Sequence, residues 1–236
     1  MKKLLLIFLS ICLLQKLSSQ ALYTQYPVYS GSELGLTYTP AGSLFRIWSP
    51  TAGDASIQLY KEGEGGTPFQ TTQLIKGERG TWYIRLAGNW KKTFYTFRVK
   101  INNQWSNEVT DPYAKSVGIN GQRAMVIDLK DTNPLGWAQD KSPAYSKNNQ
   151  PTEAVIYELH IRDASIDASS GISQKGKFAG LAERGTTNKQ GQATGLDHLK
   201  ELGVTHIHLL PFYDFNSVNE TATGKQQYNW GYDPLN

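Results

Sequence analysis

The sequence predicts a multidomain chain: an immunoglobulin-like β-sandwich followed by the first βα units of an incomplete (β/α)8 TIM barrel. Three observations predict it. Apolar residues alternate with period two through the first half, in short runs separated by Gly- and Pro-rich stretches. A segment rich in Ser, Asn, Lys and Pro then interrupts that pattern. Beyond it, two continuous apolar runs flank one amphipathic helix, which is the grammar of a βαβ unit. Composition agrees with a folded chain. Of 236 residues, 39% are hydrophobic and 11% aromatic, and the mean hydropathy is −0.45. That is too aromatic for a disordered chain and too polar for a multi-span membrane protein.

The first element is a predicted export signal over residues 1–19. Met1-Lys2-Lys3 gives a charged start, and Leu4 to Leu14 form an apolar run too short to span a bilayer. The small residues Ser18 and Ser19 supply a cleavage site. The only cysteine, Cys12, lies inside this run with Ile11 before it, which does not fit a lipidation site. The mature chain then has no cysteine, so an exported protein must hold itself together without disulfides. Removing Lys2, Lys3 and Lys16 from the 24 basic residues leaves 21 against 20 acidic ones. A near-neutral chain gives no electrostatic reason for binding nucleic acid, or a membrane once the signal is removed.

Residues 20–140 make up the predicted sandwich. In Thr93-Phe94-Tyr95-Thr96-Phe97-Arg98-Val99-Lys100-Ile101, the residues Tyr95, Phe97, Val99 and Ile101 share one face, with Thr96, Arg98 and Lys100 on the other. Asn102-Asn103 then reads as a hairpin turn leading to Trp105. Similar strand signals cover 43–48, 55–60, 81–86 and 123–129. Several such strands without helices fit a sandwich of about 100 residues. Its tryptophans, Trp48, Trp82, Trp90, Trp105 and Trp137, serve either as core or as a starch-binding platform. A linker follows at 141–151.

The last segment, 152–236, opens with the apolar run Val155-Ile156-Tyr157-Glu158-Leu159-His160-Ile161. After a polar loop, Thr194-Gly195-Leu196-Asp197 fits a capping box. Leu196, Leu199 and Leu202 give the helix an apolar stripe, and Gly203 suits its left-handed end. Val204 to Pro211 is the second apolar strand, expected to pair parallel with the first. A closed (β/α)8 barrel needs about 250 residues, so this segment reads as the opening part of one.

At this point the sequence resembles type I pullulanases, the α-1,6-debranching members of glycoside hydrolase family 13. Glu33-Leu34-Gly35-Leu36-Thr37-Tyr38-Thr39-Pro40 and Phe45-Arg46-Ile47-Trp48-Ser49-Pro50 are similar to the start of their family 48 carbohydrate-binding module. Asp111-Pro112-Tyr113-Ala114-Lys115 is similar to its end. Val155 to Asp163 resembles the first barrel strand, and residues 195–211 the second. Tyr228-Asn229-Trp230-Gly231-Tyr232-Asp233-Pro234 is the most specific element of the resemblance.

The resemblance implies retaining hydrolysis of α-1,6-glucosidic linkages in pullulan and branched α-glucans, with a carboxylate nucleophile and a carboxylic acid. In the family these come from barrel strands four, five and seven, which this sequence does not reach. No residue here is assigned a catalytic role, and the chain by itself is expected to be inactive. The sugar-binding floor does carry over. Tyr232 matches the ring that stacks on the glucose beside the scissile bond, with Trp230 and Asp233 flanking it; the other reading is that Trp230 and Tyr232 only brace the rim. His160, near the end of the first strand, is either a substrate contact or a histidine buried in a pair with Glu158. The expected partner is an α-glucan. No cofactor is implied, and a calcium ion of a full-length enzyme has no assignable ligands here. Two rival readings stand beside this one: a non-catalytic α-glucan-binding protein, and a metal-dependent hydrolase using His160, His206 and His208.

Overall fold

The computed structural model describes residues 25–143, 150–222 and 227–235. The predicted export signal lies outside them. The chain divides into two compact units between Asp131 and Thr132.

Among its described residues the first unit holds nine strands: β1 (Gly35–Thr39), β2 (Gly42–Trp48), β3 (Asp54–Tyr60), β4 (Gln70–Gln73), β5 (Ile75–Lys76), β6 (Thr81–Ala87), β7 (Phe94–Ile101), β8 (Gln104–Trp105) and β9 (Ala124–Met125). They form two antiparallel sheets. One runs β1-β2-β6-β5; the other runs β4-β3-β7-β8, with β9 also paired to β7. The sandwich expected from the period-two pattern is therefore present. Its core is built from the inward positions of both sheets, including Phe45, Ile47 and Trp82 from the first and Ile57, Leu59, Tyr95 and Phe97 from the second. The Phe45 and Tyr95 rings meet edge to face at 4.8 Å, and Tyr95 meets Phe97 at 5.6 Å, the geometry aromatic quadrupoles favour.

Three sequence details need correction. The run predicted at 123–129 contributes only the two-residue β9, and its last residue, Leu129, begins a 3-10 turn instead. Thr96, assigned to the outer face of β7, is buried: its hydroxyl donates to Glu108 Oε2 at 2.7 Å, which removes the cost of desolvating it. Ile101, assigned inward, is exposed where β7 runs into its turn. That turn behaves as predicted. Asn102 and Asn103 both have positive φ (49° and 64°), as a two-residue hairpin matched to strand twist requires, and Ile101 pairs with Gln104.

The tryptophans are mostly structural. Trp82 is in the core. Trp48, partly exposed, donates its indole N–H to the carbonyls of Pro27 and Arg79 at 3.1 and 3.0 Å, strapping the segment before β1 onto the sheet. Arg46 lies between the rings of Tyr29 and Tyr83 in the same patch. Trp90 donates to the Ala87 carbonyl and packs on the core.

The second unit contains β10 (Ile156–Leu159), a short helix α1 (Phe178–Leu181), helix α2 (Gly195–Glu201) and β11 (His206–Leu209). The two strands are parallel, in register from Ile156↔His206 to Leu159↔Leu209, as expected of strands joined by a long crossover. Leu159, Ile161, Leu181 and Leu199 form a small core, joined by Leu196, Val204 and Leu209. Leu202 is exposed, so the helical stripe is narrower than predicted. Gly203 has φ +79°, ending the helix in the left-handed conformation.

The capping box is replaced by other bonds. Thr194 makes no cap; its hydroxyl donates to the Ser170 carbonyl at 2.5 Å and lies 2.9 Å from Thr186 Oγ1. Asp197 instead accepts from the Gly185 N–H at 2.6 Å and Arg184 Nε at 2.8 Å, fastening the preceding loop to the first turn of α2. The expected Glu158–His160 buried pair does not form: Glu158 is exposed.

The first unit contains one buried acid that the chain must accommodate. Asp111, fully buried, accepts from the Tyr95 hydroxyl at 2.7 Å and the Tyr113 N–H at 2.9 Å. Burial raises its pKa, and those two hydrogen bonds oppose the rise. A carboxyl whose folded pKa exceeds its unfolded value holds its proton more tightly when folded, so its contribution falls as pH rises through the folded pKa. Tyr95→Phe removes one donor from the buried carboxylate. It is expected to lower unfolding free energy by about 1–3 kcal/mol at neutral pH, with a smaller loss once Asp111 is protonated. Urea titrations of both proteins at neutral and acidic pH measure this, and a pH-independent difference contradicts it.

Candidate functional site

The parallel pairing of β10 and β11 brings the C-terminal ends of both strands to one edge of the second unit. The Leu210 N–H donates to the Leu159 carbonyl at 2.9 Å, extending the ladder past the last paired residues. His160 leaves the end of β10, and Pro211 follows the end of β11. A cavity of about 690 Å³ opens there, lined by His160, Asp163, Tyr228, Trp230, Tyr232 and His198 among others.

Of the four residues singled out from sequence, His160, Trp230 and Tyr232 line this cavity. Trp230 and Tyr232 are 61% and 65% exposed, so two aromatic faces are free to meet a ligand. His160 is mostly buried. Its Nδ1 makes no hydrogen bond and lies 3.6 Å from Asp163 Oδ2. Its ring tilts against Tyr228 at 5.6 Å.

Asp163 ties this corner together and was not singled out in the sequence. It accepts from the Tyr228 hydroxyl at 3.1 Å and lies 3.3 Å from the Arg162 guanidinium. Burial, followed by the hydrogen bond to Asp163, lifts the Tyr228 phenol above its ordinary pKa, so the ring stays neutral and aromatic at physiological pH.

Asp233 does not line the cavity. Its side chain anchors the loop, with Oδ2 accepting from the Ser217 N–H at 2.8 Å and Oδ1 from Asn229 Nδ2 at 2.5 Å. Those bonds hold its carboxyl below the usual carboxylate range. The main chain continues the clamp. Asn216 N–H donates to the Asp233 carbonyl and Leu235 N–H to the Asp214 carbonyl, both at 2.9 Å, flanking a bridge between Phe215 and Pro234.

Gly231 is required by this geometry. It has φ +88°, and a Cβ there would collide with the carbonyl oxygen of Pro211 at the end of β11. The turn carrying Trp230 and Tyr232 is therefore seated directly on the strand end.

The imidazoles do not converge. His206 and His208 are exposed on β11, with His206 Nδ1 2.8 Å from Thr205 Oγ1. Among the described residues no group of three His, Cys, Asp or Glu side chains is arranged to hold a metal ion, and the three histidines of the zinc reading are not brought together.

Gly231→Ala is expected to lift the loop off Pro211. Hydrogen exchange of the Asn216 and Leu235 amides, whose bonds close the loop, should accelerate by an order of magnitude or more, while amides of β2 and β7 keep wild-type protection. Unchanged exchange at Asn216 and Leu235 would show that the contact is not limiting.

Comparison with known proteins agrees with this architecture. Residues 33–114 match carbohydrate-binding module 48, the isoamylase N-terminal domain. A pullulanase of Bacillus subtilis is 38% identical over 207 residues, covering 88% of this chain and 27% of the relative. The crystal structure of the Paenibacillus barengoltzii pullulanase in complex with maltohexaose and α-cyclodextrin superposes with a TM-score of 0.83 at 48% identity, over 89% of this chain and 32% of that one. The pullulanase of Bacillus acidopullulyticus gives 0.80 at 40% identity, over 89% and 25%. The chain thus spans about a quarter to a third of the length of the proteins it matches. By its module, its sequence and its fold, it is similar to the N-terminal region of pullulanases.

Proposed function

We propose that this chain is the N-terminal part of an exported pullulanase-type glycoside hydrolase that cleaves α-1,6-glucosidic linkages in pullulan and branched α-glucans with retention of configuration. In this reading β10 and β11 are the first two strands of a (β/α)8 barrel, whose active sites assemble at the C-terminal ends of the strands. The cavity lies at that end. The carboxylates that attack the anomeric carbon and protonate the leaving oxygen belong to the length of the relatives that this chain does not span.

The observation that carries the reading is the loop at 228–234. It projects two exposed aromatic rings over the cavity, braced from behind by a polar clamp. An aromatic face packs against the axial C–H groups of a pyranose, and its electron-rich surface suits the positive charge that develops in an oxocarbenium-like transition state. Tyr232 takes that role. Trp230 extends the apolar floor, and the His160 ring lines the same cavity beside them. Asp233 contributes by holding the loop. The Paenibacillus relative binds maltohexaose and α-cyclodextrin, which supports an α-glucan as the ligand here.

The test uses the complete enzyme, assayed for reducing ends released from pullulan. The wild type should cleave pullulan, and the 236-residue chain alone should not. Tyr232→Ala should lower kcat on the order of 10²-fold while shifting the thermal midpoint by only a few degrees. Wild-type kinetics in that variant would return Tyr232 to a purely structural role.

A further inference from the structure

We infer that Asn229 is a positioning residue for the sugar-facing ring: its side-chain amide, backed by Ser217 and Asp233, fixes the turn that presents Tyr232. The inference rests on the reading that Tyr232 stacks on the bound glucan.

A primary amide offers two N–H donors and one carbonyl acceptor, and Asn229 uses both kinds of group. Nδ2 donates to Ser217 Oγ and, at 2.5 Å, to Asp233 Oδ1. Oδ1 accepts from the N–H of Gly231. One side chain thus bonds backward to the segment after β11, forward across the turn to Asp233, and inward to the main chain between the two exposed aromatics. Asp233 repeats the backward link through the Ser217 N–H at 2.8 Å. Between the anchored residues Asn229 and Asp233 only Trp230, Gly231 and Tyr232 are left, and Gly231 is held against Pro211 by lack of space. The Tyr232 backbone therefore has little freedom to move.

Neither Asn229 nor Ser217 nor Asp233 lines the cavity, so their influence on a bound sugar runs through the rings they hold. Alanine at 229 removes all three bonds. Glutamine is one methylene longer and cannot place donor and acceptor on Asp233 and Gly231 together. Displacing an aligned group by about 1 Å can lower turnover by on the order of 10²-fold.

The test is a double-mutant cycle on pullulan hydrolysis by the complete enzyme, with Asn229→Ala, Tyr232→Ala and the double variant. Asn229→Ala should lower kcat/KM by on the order of 10²-fold. In the Tyr232→Ala background the same change should add less than about twofold, since residues acting as one unit are not additive. Losses that multiply, or wild-type kinetics for Asn229→Ala, overturn the inference. Ser217→Ala removes one acceptor and leaves the Gly231 bond, so it should give a smaller loss with the same non-additivity; it decides the matter if Asn229→Ala fails to fold. Hydrogen exchange in the 236-residue chain separates this from the functional reading. Asn229→Ala should accelerate exchange of the Ser217 and Gly231 amides whether or not pullulan is a substrate, and unaltered exchange overturns the clamp. A wild-type enzyme that leaves pullulan intact while the variant shows accelerated exchange removes the assigned substrate and leaves the positioning role in place.

Discussion

The site depends on one constraint, the parallel register of β10 and β11. Parallel strands cannot be joined by a tight turn, so the chain must travel through the loop, α1 and α2 before it returns. The return brings Leu209 level with Leu159, and so both strands end at the same height. His160 and Pro211 emerge side by side there, and everything chemically interesting in the second unit is attached to one of them. Asp163 and Tyr228 gather around His160; Gly231 sits on the Pro211 carbonyl. Slipping the register by one residue would exchange the faces of every side chain on the moved strand and separate these groups. The small core of Leu159, Ile161, Leu181 and Leu199 is what prevents the slip.

The first unit rests on a separate arrangement, in which polar chemistry is used inside the sandwich. Tyr95 packs its ring between Phe45 and Phe97 and gives its hydroxyl to Asp111. Asp111 in turn accepts the Tyr113 N–H, turning the chain as it leaves the sheet. Such a network is costly when partly satisfied and specifying when complete. The same economy governs the tryptophans. Trp82, Trp48 and Trp90 are committed to the core, the strap before β1 and the β6–β7 connection. Trp105 is half-buried beneath the Arg98 guanidinium at 5.7 Å. Aromatic content alone therefore overstates the surface this module has for display.

The parts that were legible in the sequence are those set by periodicity. The central strands of the sandwich, the Asn102-Asn103 turn and the parallel βαβ unit follow from side-chain alternation, backbone handedness and crossover length. The parts that were not legible involve choices among nearby partners. Thr194 and Asp197 have the spacing of a capping box, but a hydroxyl so close to the Ser170 carbonyl and Thr186 has competing acceptors, and no local pattern announces them. Glu158 and His160 share a face by the period-two rule. Leu159 is the last paired residue, so His160 lies where the rule has ceased to apply and turns toward Asp163 instead. Asp163 and Ser217 carry no local signal for a related reason: each acts across a long sequence separation, on Tyr228 and on the 228–234 loop.

The loop itself explains why a short motif can be so specific. A stacking platform needs only one or two aromatic rings, and those could be placed on many turns. Holding the rings still is the harder requirement, and it falls on the residues between and beside them. Asn229 must be short enough to reach Gly231 and still carry both donor and acceptor; Gly231 must lack a Cβ; Asp233 must accept from two directions at once. Three of the seven residues are thereby fixed by contacts that lie outside the cavity lining, and Tyr228 is fixed by its bond to Asp163. The carboxylate beside the tyrosine, which its chemistry would nominate as a sugar contact, already has an N–H of the loop on each oxygen. Most of the motif therefore encodes a scaffold, and in the proposed reading its contribution to glucan binding comes down to two exposed rings.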